Sequence, residues 1–212
     1  MPDNVPDRRR RLSPDERRHQ IVAAARAAIA RQSLAALSVR DIAAAAGVSV
    51  GTVTYHFAGI DEIFGELVIG ESERFYRDAI VRADAEPDPI TALMLITEPM
   101  FADTEDAKAH WRIWADYWGL VARRPHVAEY YADRIRSWEA CCTRIIERGQ
   151  ADGAFTDTID AHSAALRLAA YSDGLGMQLA QGVGGIDSAS ATTWLLDFAR
   201  MLLTDSGGPV SG

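Results

Sequence analysis

Apolar positions recur at helical spacing along most of the chain, and this pattern predicts a protein built from about nine helices. The most clearly marked pair of helices lies between Ser38 and Phe57. Its first member carries apolar residues at i, i+3, i+4 and i+7, which places them in one stripe on a short helix: Val39, Ile42, Ala43 and Ala46. We therefore expect an all-α fold.

The junction within this pair carries three local signals. Ser38 with Asp41 has the pattern of a capping box at the start of the first helix. Gly47 tolerates the left-handed backbone that ends a helix, and Ser49 suits the N-cap of a second helix that begins at Val50. The sequence predicts two helices joined by a tight turn.

The second helix has two different sides. Val53 and Phe57, four residues apart, mark the buried side, while the opposite side is small, polar or aromatic: Gly51, Thr52 and Tyr55, flanked by Thr54 and His56. Such a surface suits the major groove of DNA, because threonine can bond to a base edge or a phosphate and the aromatic residues can reach the backbone. The pattern fits a helix-turn-helix, and a plain helical hairpin is the alternative.

The stretch from Val39 to Phe57 resembles the TetR family of transcriptional repressors. It matches the family run V-R-D-I-A-x-x-A-G-V-S-x-G-T-V-x-x-H-F in register. The resemblance implies a dimer in which an N-terminal three-helix domain binds an operator in double-stranded DNA and a larger C-terminal domain senses a small molecule. It also implies DNA contacts from Ser38, Arg40, Ser49, Val50, Gly51, Thr52, Thr54, Tyr55 and His56.

Two departures from the family pattern bear on DNA binding. Many members have tyrosine where this chain has Thr54, and a lysine that helps to hold the phosphate where this chain has Ile60. Since each neutralised phosphate adds to affinity and to its salt dependence, we expect weaker electrostatic binding than is usual in the family.

Charge is divided unevenly along the chain. The net charge is −8, yet residues 1–57 hold nine arginines and five acids, which gives them +4 and leaves −12 for the remainder. A basic end on an acidic body fits a protein that approaches DNA with one end. Arg8 to Arg11 form a basic arm that either follows the phosphate backbone or a minor groove, or is only a solubilising tail.

Helix-start signals and prolines divide the rest of the chain. Ser13-Pro14-Asp15-Glu16 begins a first helix whose inner face carries Ile21, Ala25, Ala28 and Ile29. Further helices are predicted over 61–85, 89–102, 103–123, 127–150, 158–181 and 186–203, and Pro99 is expected to end or kink the second of these. We expect a flexible basic arm at 1–12, the helix-turn-helix domain at 13–60, an effector-binding and dimerisation domain at 61–205, and a flexible tail at 206–212.

Aromatic residues concentrate in the middle of the C-terminal domain. They are either core or the wall of a pocket for a small-molecule effector, and the candidates are Trp111, Trp114, Trp118, Trp138 and Cys142, with Tyr130 and Tyr131 also facing inward. The expected effector is apolar or aromatic, or a cation held over the rings with help from an acid such as Asp116. The end of the chain, from ADGAF through DGLGMQLA, resembles the C-terminal domain of the choline-sensing BetI group, which covers several ligands.

The last two helices carry candidate dimer contacts. Small residues alternate with leucine on the first, and large apolar residues line the second: Leu168, Ser172, Leu175 and Leu179, then Trp194, Leu195, Phe198 and Leu202. Packing within one chain would give the same pattern. The family resemblance implies instead a four-helix bundle made from both copies of a homodimer.

Other classes of function find little support. The five histidines lie on different predicted helices without metal-ligand spacing, and no catalytic motif is present, so we expect no enzyme, metal or cofactor. A regulator controlled by a protein partner, or an activator, stays open as an alternative.

Two features bear on the compartment. Cys141 and Cys142 are adjacent, which disfavours a disulfide between them and leaves buried thiols or a redox sensor. No apolar run approaches the length of a membrane span, and the N-terminus lacks the apolar segment of a secretory signal, so the expected location is the cytoplasm.

Overall fold

The computed structural model describes residues 12–29, 33–125, 127, 132 and 136–204. Within them nine α-helices can be followed from end to end and no strand is formed: α1 Pro14–Ile29, α2 Val39–Ala46, α3 Val50–His56, α4 Ile60–Ala85, α5 Pro89–Thr97, α6 Glu105–Arg123, α7 Ser137–Ala151, α8 Ala161–Ala180 and α9 Ser188–Leu203. Short 3₁₀ turns occupy Leu34–Ala36 and Glu98–Phe101. The expected all-α fold is confirmed.

The chain separates into two compact units, Met1–Leu67 and Val68–Gly212. The division falls inside α4, beyond the boundary after residue 60 that the sequence suggested. Helix α4 therefore supplies its first residues to unit 1 and the others to unit 2. Among the described residues, no helix is both long enough and apolar enough to cross a bilayer.

Unit 1 packs α1, α2 and α3 against the start of α4. A capping box opens α1, because the Ser13 hydroxyl accepts from the Glu16 backbone N–H and the Glu16 carboxylate accepts from the Ser13 N–H. The buried face of α1 consists of the residues predicted for it: Ile21, Ala25, Ala28 and Ile29. Apolar side chains from the other helices complete the core: Ile42, Ala43, Ala46, Val53, Phe57, Ile63, Phe64 and Leu67.

Unit 2 is built from the rest of α4 and from α5 to α9. Asp88 caps α5 by accepting from the Thr91 N–H, and Pro99 lies in the 3₁₀ turn where a break was predicted. Arg148 of α7 donates to the carbonyls of Ala83, Asp84 and Glu86, and so satisfies acceptors at the C-terminal end of α4.

One long predicted helix is not continuous. The pattern suggested a single helix from Val127 to about Gln150, and Val127 is helical, but Arg136 is not, at φ −90° and ψ 24°. The helix that reaches Ala151, α7, therefore begins at Ser137. Other predictions concern parts of the chain outside the described residues: the basic arm with Arg8 to Arg11, the inward-facing Tyr130 and Tyr131, and the tail at 206–212.

Candidate DNA-reading helix and ligand cavity

The turn between α2 and α3 is held by local hydrogen bonds. The Ser38 hydroxyl accepts from the Asp41 N–H at 3.3 Å, and the Asp41 carboxylate accepts from the Ser38 N–H at 2.9 Å. Hydrogen bonds from the Ser38 hydroxyl and then its N–H lower the pKa of Asp41. Gly47 ends α2 at φ 66° and ψ 34°, in the left-handed region that favours glycine. The predicted capping box and turn are confirmed.

Helix α3 shows one side to solvent and buries the other. Val53 and Phe57 are buried beneath it, whereas the Tyr55 side chain is 82% exposed. Ser49 caps α3 by accepting from the Thr52 N–H at 3.0 Å, and the Ser49 and Thr52 hydroxyls lie 2.9 Å apart. Both hydroxyls are exposed and can exchange this bond for one to a ligand.

The fold would accept a residue with a side chain at position 51, where the sequence has Gly51. A Cβ added there would meet only the Ser49 Oγ, at 3.7 Å, which is an ordinary contact. Glycine also lowers the stability of a helix relative to alanine. An exposed glycine at this position therefore leaves room for the close approach of something outside the chain.

Two side chains of α1 hydrogen-bond to the C-terminal ends of α2 and α3. Arg18 donates to the carbonyl of His56, and its guanidinium carbon lies 4.2 Å from the centroid of the Phe57 ring. The same guanidinium pairs with Glu62 of α4 at 3.1 Å, and Gln20 donates to the carbonyl of Ala46 at 2.8 Å. Sequence reasoning missed both residues, because their partners are distant along the chain.

The nine residues proposed for DNA contact lie within or just before α2 and α3. All are exposed or half-buried, and Tyr55 is the most prominent of the large apolar or aromatic side chains. The ring of Tyr55 meets that of His56 edge to face, with 5.0 Å between centroids. The two helices thus present one uncharged face on α3 with the guanidinium of Arg40 exposed on α2.

Unit 2 contains a partly open cavity of about 310 Å³. Most of its lining is aromatic or aliphatic, with a few polar groups among them: Tyr76, Met100, Trp114, Tyr117, Trp118, Ala132, Arg136, Trp138, Glu139, Leu166, Ala169, Ala170, Ser172 and Asp173. The volume is at the lower end of the range for small-molecule sites.

Three of the four tryptophans proposed for the ligand line this cavity. Trp114, Trp118 and Trp138 are lining residues, and the Trp138 Nε1 donates to the Ile96 carbonyl at 3.2 Å. Trp111 lies elsewhere: it is buried, its Nε1 donates to the Met100 carbonyl at 2.6 Å, and its ring presses on Gly176. Its edge contributes to a second hollow of about 290 Å³.

The two cysteines are buried and do not line the cavity. Burial raises the pKa of Cys141 to about 11, with the charge of Asp84 adding to the shift, and burial also raises the pKa of Cys142. Thiols with raised pKa values are poor nucleophiles at neutral pH, because little thiolate is present. Their environment favours packing over a redox role.

The acidic groups of the cavity differ in their partners. Glu139 accepts from Arg136 at 2.6 Å, so these two charges offset each other. Asp173 accepts no hydrogen bond from any residue that the structure describes. Burial raises the pKa of Asp173 to about 7, and the nearby charge of Glu139 adds to the rise. At neutral pH the carboxyl group of Asp173 is therefore partly neutral and partly ionised.

The candidate dimer residues fall into two sets. Four of them are buried within the single chain, where they pack in its own core: Leu168, Ser172, Leu175 and Leu195. The others are exposed or half-buried: Leu179, Trp194, Phe198 and Leu202. On α9, Trp194 and Met201 are 41% and 73% exposed. With Phe198 and Leu202 they make one apolar line, here called the α9 stripe, at helical spacing.

Two family models match the chain. Residues 21–67 match the model described as bacterial regulatory proteins, tetR family, and residues 89–204 match the BetI-type transcriptional repressor, C-terminal. Together they cover the helix-turn-helix and the whole cavity region from α5 onward.

Similar sequences and structures have been described in several bacteria. The chain is 29% identical over 199 residues to the regulator BetI 2 of Chromohalobacter salexigens, with 90% of each chain covered. It is 28% identical over 149 residues to the repressor KstR2 of Mycobacterium tuberculosis, covering 69% of this chain and 72% of the relative.

Two solved structures share the fold. A regulator of Saccharomonospora viridis in complex with choline has a TM-score of 0.75 at 26% identity, covering 89% of this chain and 98% of the other. A TetR-family regulator of Rhodococcus sp. has a TM-score of 0.78 at 21% identity, covering 90% and 100%.

Proposed function

The chain belongs to the TetR family of transcriptional regulators, with a C-terminal domain of the BetI type, and we propose that it represses transcription as a dimer on a palindromic operator until a small-molecule effector releases it. The family consists of transcriptional regulators and not of enzymes. In the described part of the chain, no three histidine, cysteine or acidic side chains lie close enough to share a metal ion.

The observation that carries the DNA-binding proposal is the outward face of α3. Tyr55 is 82% exposed there, next to the open position at Gly51 and the hydroxyl of Thr52. Val53 and Phe57 are buried on the opposite face, and this burial determines which side of α3 meets solvent. A short helix with small and hydrogen-bonding groups on its outer face fits a major groove, and its N-terminal residues contact base edges.

Selective recognition of an operator sequence favours a dimer. One short helix reads too few base pairs, whereas two copies spaced by about 34–36 Å, one turn of DNA, read both halves of a palindrome. The α9 stripe supports a two-fold contact, because Trp194 and Met201 expose large apolar surface on one helix face. The ring of Phe198 touches Tyr171 of α8, at 4.6 Å between centroids, which extends this surface onto a second helix.

We infer that the effector is a small organic cation. The cavity is lined by Trp114, Trp118 and Trp138 together with Asp173. Aromatic faces attract cations, and the attraction is strongest where water is excluded. The choline complex of the Saccharomonospora viridis regulator supports the same class of ligand for a relative of similar fold.

We propose that helix α4, which contributes residues to both units, transmits the effect of the ligand to the DNA-reading domain. Its residue Tyr76 lines the cavity, while Glu62 and Glu66 on its first turns pair with Arg18 behind α3. An effector that binds more tightly when α4 is displaced shifts the protein away from the spacing that suits DNA. A tenfold release of operator needs about 1.4 kcal/mol of coupling between the two sites.

Selection from randomised duplex DNA tests this function without knowledge of the operator. The purified protein is expected to enrich a sequence with two-fold symmetry and to retard that duplex in a gel at low salt. Added organic cation should then weaken the retardation. Failure to enrich any sequence, or enrichment of an unrepeated one, would contradict the proposal of a dimeric operator-binding protein.

A further inference from the structure

A series of polar side chains leads from the surface of unit 2 to one wall of the cavity. Arg74 of α4 pairs with Glu71 at 2.8 Å and with Asp106 at 3.0 Å. Glu71 lies 3.4 Å from the Nδ1 of His110, and the Nε2 of His110 lies 3.0 Å from the hydroxyl of Tyr76. Glu71 and His110 are both buried, and Tyr76 lines the cavity.

These hydrogen bonds determine whether the Tyr76 hydroxyl donates or accepts. Paired with Arg74, the Glu71 carboxylate only accepts, so the Nδ1 of His110 donates to it. Burial lowers the pKa of His110, against the opposing effect of Glu71, and the neutral ring then has an acceptor at Nε2. Tyr76 therefore donates to His110, and its oxygen keeps only lone pairs for other partners.

Ser172 and Asp173, which are adjacent on α8, are also available as hydrogen-bond acceptors. The Ser172 hydroxyl donates to the carbonyl of Ala169 at 2.9 Å, so its oxygen too is left as an acceptor. Asp173, when ionised, is an acceptor without a described donor. The charge of Asp173 also contributes to the raised pKa of Tyr76, after the larger effect of burial, which places the two groups within electrostatic reach of each other.

We propose that Tyr76, Ser172 and Asp173 form an acceptor cluster for an ammonium group that carries N–H bonds, such as a primary or secondary amine, in preference to a quaternary ammonium. The proposal rests on the proposed function, in which unit 2 binds an organic cation. The tryptophans attract either kind of cation. Only an N–H cation can donate to the oxygens of these three residues, whereas a quaternary group offers them no donor.

The remaining polar groups of the cavity are compatible with this cluster. Arg136 donates to the carboxylate of Glu139 at 2.6 Å, so the two charges offset each other at the cavity wall. Tyr117 lines the cavity as well, and a tyrosine hydroxyl can accept or donate according to its partner.

Calorimetric titration of the full chain at pH 8 with three probes that share a benzyl group tests the proposal. The probes are benzylamine, benzyltrimethylammonium and benzyl alcohol. We expect benzylamine to bind about tenfold or more tightly than benzyltrimethylammonium, and both cations to bind more tightly than the alcohol. Asp173→Asn should weaken benzylamine about tenfold and remove the preference between the cations, whereas the exposed Asp157→Asn should change neither.

The outcomes distinguish the proposed acceptor cluster from the proposed organic-cation effector. Equal or tighter binding of benzyltrimethylammonium would overturn the acceptor cluster and leave the organic-cation effector standing. Binding of benzyl alcohol as tightly as benzylamine, or of no probe at all, would overturn the cation effector and the cluster with it. A preference for benzylamine that survives in Asp173→Asn would contradict the role of that carboxyl group, and circular dichroism establishes that the variant is folded.

Discussion

The guanidinium of Arg18 lies over the Phe57 ring, with 4.2 Å between its central carbon and the ring centroid. From this position Arg18 also donates to the backbone of His56 and pairs with Glu62. One side chain of α1 thus closes the end of α3 onto the start of α4. The orientation of the DNA-reading face depends on this contact.

Replacing Arg18 by lysine keeps the charge but removes the planar group that stacks on Phe57 and bonds in two directions. We expect Arg18→Lys to weaken operator binding about tenfold and to lower the free energy of unfolding by about 1 kcal/mol. Arg17→Lys is the matched control, since among the described residues the Arg17 guanidinium bonds only to Gln20. Gel retardation and urea unfolding measure the two effects, and equal behaviour of the two variants would refute the role of Arg18.

Alanine at Gly51 separates folding from DNA binding. The new Cβ meets only the Ser49 Oγ at 3.7 Å, so Gly51→Ala should stabilise the chain, by up to about 1 kcal/mol, as glycine-to-alanine changes in helices do. Operator affinity should nevertheless fall about tenfold or more, because the methyl group occupies space needed at the groove floor.

Gly70→Ala makes the same chemical change at an exposed position of α4, where a Cβ meets nothing within 4 Å. It should raise stability in the same way and leave operator affinity unchanged. Unaltered DNA binding by Gly51→Ala would show that α3 does not approach the bases closely.

Trp111 should prove to be a packing residue of unit 2. A Cβ at Gly176 would lie 2.1 Å from atoms of the Trp111 ring, so Gly176→Ala should cost about 1–3 kcal/mol in overpacking. Gly174→Ala, on the same helix with nothing within 4 Å, should be neutral or stabilising. Thermal unfolding of the pair checks this, and a tolerated Gly176→Ala would mean that the Trp111 ring is free to move.

Binding of an organic cation should depend on pH through Asp173. In the free protein burial raises the pKa of this carboxyl group to about 7, so below that pH it is neutral and must lose a proton before it can pair with a cation. Affinity should therefore fall about tenfold from pH 8 to pH 6. Titration with benzylamine at both pH values measures it; a fall of the same size in Asp173→Asn would assign the effect to another group.

The α9 stripe should carry the dimer contact. Met201→Glu places a charge on a residue that is 73% exposed, so the single chain should stay folded while association weakens by at least about tenfold. Thr193→Glu, exposed on another side of α9, is the control. Sedimentation velocity distinguishes dimer from monomer, and an undiminished dimer in Met201→Glu would exclude this face.

Features set by neighbouring residues could be predicted from the sequence. The capping box at Ser38, the turn at Gly47 and the cap at Ser49 each depend on residues within one helical turn, and all three occur as expected. The buried face of α1 follows from its helical spacing in the same way. These rules locate the DNA-reading helix, because it is short and its signals are local.

Features that depend on distant partners could not be predicted. Trp111, Trp114 and Trp118 lie on one face of α6, and spacing alone does not tell that Trp111 presses on Gly176 while the other two line the cavity. The same limit applies to α8, where the stripe containing Leu168 and Ser172 faces the chain's own core. The links from Tyr76 through His110 to Glu71 join residues on two helices and have no sequence signature.

The most direct test of the central claim is selection from randomised duplex DNA by the wild-type chain, followed by affinity measurement of Gly51→Ala and Gly70→Ala on the selected sequence. We predict a palindrome with half-sites one helical turn apart, bound at least about tenfold more weakly by Gly51→Ala and equally well by Gly70→Ala. Selection of no palindrome, or equal binding of it by all three proteins, would contradict the claim that paired copies of α3 read the operator.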